Sequence, residues 1–149
     1  MGYPRKEVVM RFAFIDIDGT LIDKDDNHRP YIPELIDGLL DLGFHIVLWS
    51  AGGNKYAESK WNMICNKIAW ETEKEHHSKV TDFMWKMDWQ ETALIGEKLF
   101  IDDQWSLLEP MAEKGYATML VSFYEESLMP NDTELREALG FARTVFPKE

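Results

Sequence analysis

A single cysteine, Cys65, stands in this chain of 149 residues, so no internal disulfide can form and a reducing, cytoplasmic location is expected. Cys65 itself reads as a small buried apolar side chain. No apolar run nears the roughly 18 residues that a membrane span needs, so no membrane partner is expected. The opening segment Met1-Gly-Tyr-Pro-Arg-Lys-Glu lacks the apolar stretch of a signal peptide, and Lys6 stands where a myristoylation signal has Ser or Thr. Met1 to Val9 is expected to be a dispensable, flexible extension. Basic residues are few: 16 Lys and Arg against 27 Asp and Glu, a formal net charge of -11. Such a surface repels phosphate backbones at long range and excludes stable coat-type binding to nucleic acid. Zinc-type ligands are sparse too. His76 and His77 are neighbours in a charged loop and read as solvated, while His28 and His45 form no ligand pattern. Repeats, low-complexity tracts and linkers are absent, which makes residues 1–149 one domain.

What is present is a folding composition. Hydrophobic residues make up 45% and charged residues 29%, far from the profile of a disordered chain. Apolar runs alternate with stretches of helical spacing. Phe12-Ala-Phe-Ile-Asp-Ile and His45-Ile-Val-Leu-Trp read as buried strands, Leu99-Phe-Ile as a third compact one, and Ala117 to Val121 as another. Helices are expected from Pro33 to Leu42, stopped by Gly43, from Lys55 to Asn66 with Tyr56, Trp61, Ile64 and Cys65 inward, and from Ser106 to Lys114. Asn131 with Glu134 forms a capping-box start for a last helix reaching about Val145. Ile68-Ala-Trp reads as a short strand, Glu71 to His77 as a polar loop, and Val80 to Met87 as one or two helical turns. This alternation predicts an α/β fold, a single Rossmann-like domain with a parallel sheet of about five strands covered by helices on both faces.

In such sheets ligands bind beyond the carboxyl ends of the strands. The polar residues predicted there are Asp16 and Asp18, Ser50, and Asp102 and Asp103. Carboxylates gathered in one crevice raise one another's pKa unless a counter-ion joins them. A hard divalent cation with oxygen ligands resolves that conflict, and Mg2+ is the natural candidate. Asp16 can serve as a nucleophilic carboxylate and Asp18 as a general acid and base, with Gly19 letting the backbone curl. Ser50 can donate to a phosphoryl oxygen, and the amides of Ala51, Gly52 and Gly53 can approach one closely. Asp16 and Asp18 alone also fit a pair of turn and cap residues; the three acidic and hydroxyl strand ends together favour chemistry.

The segment Phe14-Ile-Asp-Ile-Asp-Gly-Thr-Leu resembles the first signature of the haloacid dehalogenase-like superfamily. Val47-Leu-Trp-Ser resembles the second, a strand ending in Ser or Thr, and Leu99-Phe-Ile-Asp-Asp the fourth, a strand ending in paired acids. Order and spacing match from about Arg11 to Val121. The resemblance implies that Asp16 attacks phosphorus to form an aspartyl phosphate and that Asp18 protonates the leaving oxygen, then activates water. It implies Mg2+ held by Asp16, by the backbone carbonyl of Asp18, and by Asp102 or Asp103, with Thr20 bracing the turn. The third signature is a lone lysine. Lys79, at an expected helix start, has the most family-like distance to Asp102; Lys86 and Lys98 are the alternatives. Within the superfamily dehalogenases lack the second Asp, because a halide leaves without a proton, so Asp18 favours a phosphatase.

Both positions where relatives insert a cap domain look empty, since Asp18 is followed only by the charged segment Leu21 to Arg29 and one helix. The resemblance is thus to the capless type. An open site suits a nucleotide, a nucleic-acid end or a phosphorylated macromolecule, or calls for a second copy or partner to cover it. Trp49 and Trp105 flank the catalytic positions and could form a stacking rim for a base, with ordinary core or rim packing the favoured role; Phe44 and Phe141 read as core. Two other activities fit the same acids. One is a phosphotransferase on the same fold. The other is a receiver-like phospho-accepting signalling domain, although receivers carry the acidic pair after the first strand and the accepting Asp after the third.

Overall fold

The computed structural model describes residues 9–68, 76–86 and 94–148. The expected extension at Met1 to Val9 lies almost wholly outside these residues, as does most of the Glu71 to His77 loop. The elements run β1 (Arg11–Asp16), α1 (Ile32–Asp41), β2 (Phe44–Ser50), α2 (Asn54–Lys67), β3 (Asp82–Trp85), β4 (Glu97–Asp102), α3 (Trp105–Glu113), β5 (Ala117–Leu120) and α4 (Glu134–Val145). A short 3-10 turn at His76–Lys79 precedes β3.

The five strands form one all-parallel sheet in the order β3-β2-β1-β4-β5. Strands buried on both sides need apolar residues at successive positions, and β1 is buried along its whole length. Alternate side chains then divide between two cores. Ala13, Ile15, Ile46, Leu48, Leu99 and Ile101 pack with residues of α1, α2 and α4, such as Leu35, Trp61 and Leu135. Phe12, Phe14, Val47, Trp49 and Phe100 pack with Leu108 and Met111 of α3. Phe14 stacks on Phe100 with centroids 4.7 Å apart. Helices therefore cover both faces, as the alternation of the sequence predicts. Cys65 is buried in the first core, and Phe44 and Phe141 belong to it as well.

The connections move outward in one direction from β1 through β2 to β3, and in the other from β4 to β5. The order reverses between β1 and β4, and at such a switch point a crevice opens at the carboxyl ends of the strands. Asp16 ends β1 and Asp102 ends β4.

Several local expectations change. Val80 to Trp85 is not helical, and Met87 lies outside the described residues: Asp82–Trp85 is the edge strand β3, in register with Val47–Ser50, and Thr81 N donates to Ile46 O at 2.8 Å. The segment Val80-Thr-Asp-Phe-Met-Trp is rich in β-branched and aromatic residues, and the free edge of β2 supplies its hydrogen bonds. The strand expected at Ile68-Ala-Trp begins on the residue that ends α2, where Ile68 N donates to Ile64 O, and its other two residues lie outside the described ones. Tyr56 is half-buried and turns to Asp18, while Ala57 takes the inward position on α2. The capping box at Asn131 and Glu134 does not form. Thr133 is the N-cap of α4, without a side-chain cap bond, because the Glu134 carboxylate is drawn to Arg29 and Ser122. Among the described residues no helix is long and apolar enough to cross a membrane.

Candidate active site

The site begins with a sharp turn after β1. The N–H groups of Thr20, Leu21 and Ile22 all donate to Ile17 O, curling the chain into one compact loop. Gly19 sits within it at φ +83°, in the left-handed region that glycine enters without penalty. A Cβ there would lie 2.4 Å from the Phe123 ring and 2.7 Å from Asp103 Oδ2, so the position has no room for one. The loop holds Asp16 in place, and Thr20 Oγ1 donates to Asp16 Oδ2 at 3.0 Å. The bracing role expected of Thr20 thus has a bond behind it.

Asp16, Asp102 and Asp103 converge as the strand order requires. One carboxylate oxygen from each lies within 4.8 Å of the others. Asp102 is fully buried and Asp16 nearly so. Burial pushes the Asp16 carboxyl well above its ordinary value; the hydrogen bond with Asp103 and the charge of Asp102 push it further, against the opposing pull of Lys86. Burial also raises Asp102, with Lys86 again opposing. Such an all-oxygen cluster, with no His or Cys in it among the described residues, could hold a hard divalent cation such as Mg2+. Asp18 stands apart from the triad. Its carboxylate is exposed and accepts the Tyr56 hydroxyl at 2.9 Å. Burial, then Asp18, drives the Tyr56 phenol up to about 12, so it stays a donor to that carboxylate at neutral pH.

The lysine at the site is Lys86. Its Nζ donates to Asp16 Oδ1 at 2.9 Å and to Asp102 Oδ2 at 2.8 Å, above the Trp49 ring at 5.4 Å. Burial alone would lower its pKa, but the two carboxylates outweigh it and hold Lys86 above the ordinary value, fully charged. Lys79, the residue favoured from sequence, is not brought to the acids: its Nζ pairs with Asp37 of α1 at 2.6 Å. Lys98 is the second residue of β4, near the opposite end of the strand from Asp102, and donates to Gly96 O at 3.3 Å. The signal for Lys86 was available. Once Asp82–Trp85 is read as a strand, Lys86 is a strand-end residue like Ser50 and Asp102.

Ser50 ends β2 and is buried. Its Oγ accepts the Gly52 N–H at 3.0 Å, which leaves its own hydrogen as a donor. Gly53 N–H donates to Ser50 O at 3.4 Å. The predicted amide cradle is therefore smaller than expected. The Gly52 and Gly53 amides are engaged within the turn. Trp49 is buried in the second core, as its packing role requires, and Trp105 is half-exposed at the start of α3.

Two anchors that sequence reasoning passed over hold the loop from outside. Arg29 is 2% exposed, and its guanidinium forms a fork on Asp132 at 2.7 and 3.1 Å and reaches Glu134 at 2.6 Å. Its Nη1 donates to the carbonyls of Ser122 at 2.8 Å and of Gly19 and Thr20 at 3.3 Å. It joins the Asp16 loop to the start of α4. Asp23 closes the Leu21–Arg29 flap, accepting from the amides of Asp25, Asn27 and Glu126 and from the Asn27 side chain.

No protein-family model matches the chain, and no curated protein matches it in sequence.

Proposed function

We propose that this chain is a Mg2+-dependent phosphomonoester hydrolase of the capless haloacid dehalogenase-like type, with Asp16 as its nucleophile. The observation that carries the reading is the Lys86 ammonium bridging Asp16 and Asp102 beside Asp103, at the switch point of a parallel sheet. A buried lysine on a nucleophilic carboxylate neutralises charge where a dianionic phosphoryl group must approach, and positioning with electrostatics supplies most of the acceleration in phosphoryl transfer.

In this reading an Asp16 carboxylate oxygen attacks phosphorus, and the bond from phosphorus to the ester oxygen breaks. Asp18, free of the buried triad and oriented by Tyr56, gives its proton to the departing alkoxide. The same carboxylate then takes a proton from water as it attacks the aspartyl phosphate, which releases inorganic phosphate and restores Asp16. Ser50 and Lys86 hold phosphoryl oxygens. Asp16, Asp102 and Asp103 would hold Mg2+, which when bound screens phosphoryl charge. Lys86 takes the place of Lys79 as the proposed catalytic lysine. The solvent-exposed Asp18 also supports an oxygen leaving group, which needs a proton, over a halide.

The test is a phosphate-release screen with Mg2+ across nucleotides, nucleic-acid ends, sugar phosphates and phosphopeptides, with candidate alcohol acceptors included. Turnover lost in Asp16→Asn is expected. Hydrolysis that persists in that variant overturns the reading, and a phosphorylated acceptor in place of free phosphate identifies a phosphotransferase. A single stoichiometric phosphorylation without turnover identifies a receiver-like domain.

A further inference from the structure

The exposed Phe, Tyr and Trp side chains among the described residues are Trp85, Trp105 and Phe123, at 41%, 48% and 47%. All three belong to one rim. Trp85 ends β3, Trp105 opens α3 just after Asp103, and Phe123 follows β5. Exposed apolar side chains scattered singly over a surface need no explanation, but these three gather at the carboxyl ends of the strands, around the candidate site. Of the exposed aliphatic residues, Val9, Met10 and Ile95 lie before the amino ends of β1 and β4, Leu120 ends β5, and Leu128 and Val145 lie further along the chain.

Two of the rings are anchored to the loops that carry the chemistry. The Phe123 ring and the Asp103 carboxylate converge on the same point above Gly19, and Tyr124 N donates to Gly19 O at 2.8 Å, tying that segment to the Asp16 loop. The Trp85 indole Nε1 donates to Ala51 O at 3.2 Å, which sets the ring beside the Ser50 turn. β3 lies two strands from β1, roughly 10 Å by the spacing of a sheet. The rings therefore approach the Asp16 crevice from two sides.

We propose that these rings recognise the leaving group, so that the substrate is a phosphomonoester whose alcohol carries a planar aromatic ring. The proposal rests on the phosphohydrolase reading above. Ring faces held at a site mouth favour flat π-surfaces over flexible chains, and base–aromatic stacking is tolerant of which base is present. Charge limits the rest of the substrate. Lys86 is held by two carboxylates and Lys60, beside the flap, pairs with Asp26 at 2.8 Å. Further phosphates would meet a chain of net charge -11, so one phosphoryl group is favoured over a polyphosphate or polynucleotide.

The test compares a nucleotide with the sugar phosphate that lacks its base, and adds an aryl phosphate that carries a ring without the sugar. Calorimetry with Mg2+ and the Asp16→Asn variant measures binding of adenosine 5′-monophosphate, ribose 5-phosphate and phenyl phosphate. The ring-bearing ligands are expected to bind about tenfold tighter than ribose 5-phosphate, the size of one stack. Trp85→Leu and Phe123→Leu, which keep apolar bulk and remove the ring, are expected to shrink that ratio to about threefold or less. Tighter binding of the nucleotide than of phenyl phosphate identifies a nucleobase as the source of the ring, and the reverse order identifies an aryl group. Equal affinity for adenosine 5′-monophosphate, phenyl phosphate and ribose 5-phosphate, or a ratio unchanged in both leucine variants, overturns the proposal. Phosphate release by the wild-type protein is measured separately. Absence of turnover with the binding ratio intact defeats the hydrolase reading and leaves ring recognition standing.

Discussion

Lys86 Nζ lies 2.9 Å from Asp16 Oδ1, and the same ammonium reaches Asp102 Oδ2 at 2.8 Å. One cation thus ties the end of β1 to the end of β4 from the edge of the sheet, where β3 delivers it. Removing the charge should be felt by chemistry first. Lys86→Met is expected to lower phosphate release by about 100-fold or more, on the scale of losing one electrostatic contact to a phosphoryl transition state. Lys79→Met, which breaks the contact to Asp37 on α1, should stay within about threefold. Steady-state kinetics on the two variants checks both; the opposite ranking would return the role to Lys79.

The carboxylate triad predicts a metal dependence that can be read without turnover. A ligand that binds only the folded state raises its stability by mass action. Mg2+ should therefore raise the Tm of the wild-type protein, and chelation should reverse the rise. Asp102→Asn and Asp103→Asn each remove one oxygen donor from the cluster and should weaken the response. A Tm indifferent to Mg2+ in the wild type would rule out the triad as a cation site.

Arg29 is expected to matter for stability more than its place in a surface flap suggests. Arg29→Ala leaves Asp132 buried without its guanidinium, takes a donor from the Ser122 and Thr20 carbonyls, and leaves Gly19 O with the Tyr124 N–H. Breaking a buried pair from one side costs about 3–5 kcal/mol. Urea unfolding should show that loss. Because the Gly19-Thr20 backbone is held by the same guanidinium, kcat should fall alongside.

Acid sensitivity should centre in part on Asp23. Burial works against its charge, but the Asn27 side-chain bond and three backbone amides overcome it and draw the carboxyl down to about 2. A folded pKa below the unfolded one stabilises the fold above the ordinary carboxylate value near 3.8 and loses that contribution as pH falls through about 2. The contribution at neutral pH is at most about 2 kcal/mol. Asp23→Asn should be less stable than the wild type at pH 6, and the gap should narrow below about pH 4 and be lost as pH falls through about 2. Denaturant titrations across that range measure it; a constant gap would show that Asp23 keeps its charge no better than a free carboxyl.

The strand-end acids were legible in the sequence because each ends an apolar run, and a parallel sheet has a fixed chemical polarity. Phe12 to Asp16 and Leu99 to Asp102 carry their own β signal, so the sequence alone puts Asp16, Ser50, Asp102 and Asp103 at strand ends. β3 was harder. It has four residues, is only partly buried, and owes its conformation to pairing with β2, an interaction that local propensity does not contain. Reading that stretch as helix moved the expected lysine to Lys79.

The amino-acid order alone thus determined the α/β class, the Asp16 and Asp18 turn and the acidic pair, since these depend on neighbours a few positions away. Tertiary structure decided which lysine meets Asp16, that Gly52 turns its amide to Ser50, that Tyr56 orients Asp18, and that Arg29 clamps the loop to α4. Each of those contacts but the Gly52 turn joins residues 10 or more positions apart. Their partners are chosen by strand order and packing, and no window of sequence holds both ends.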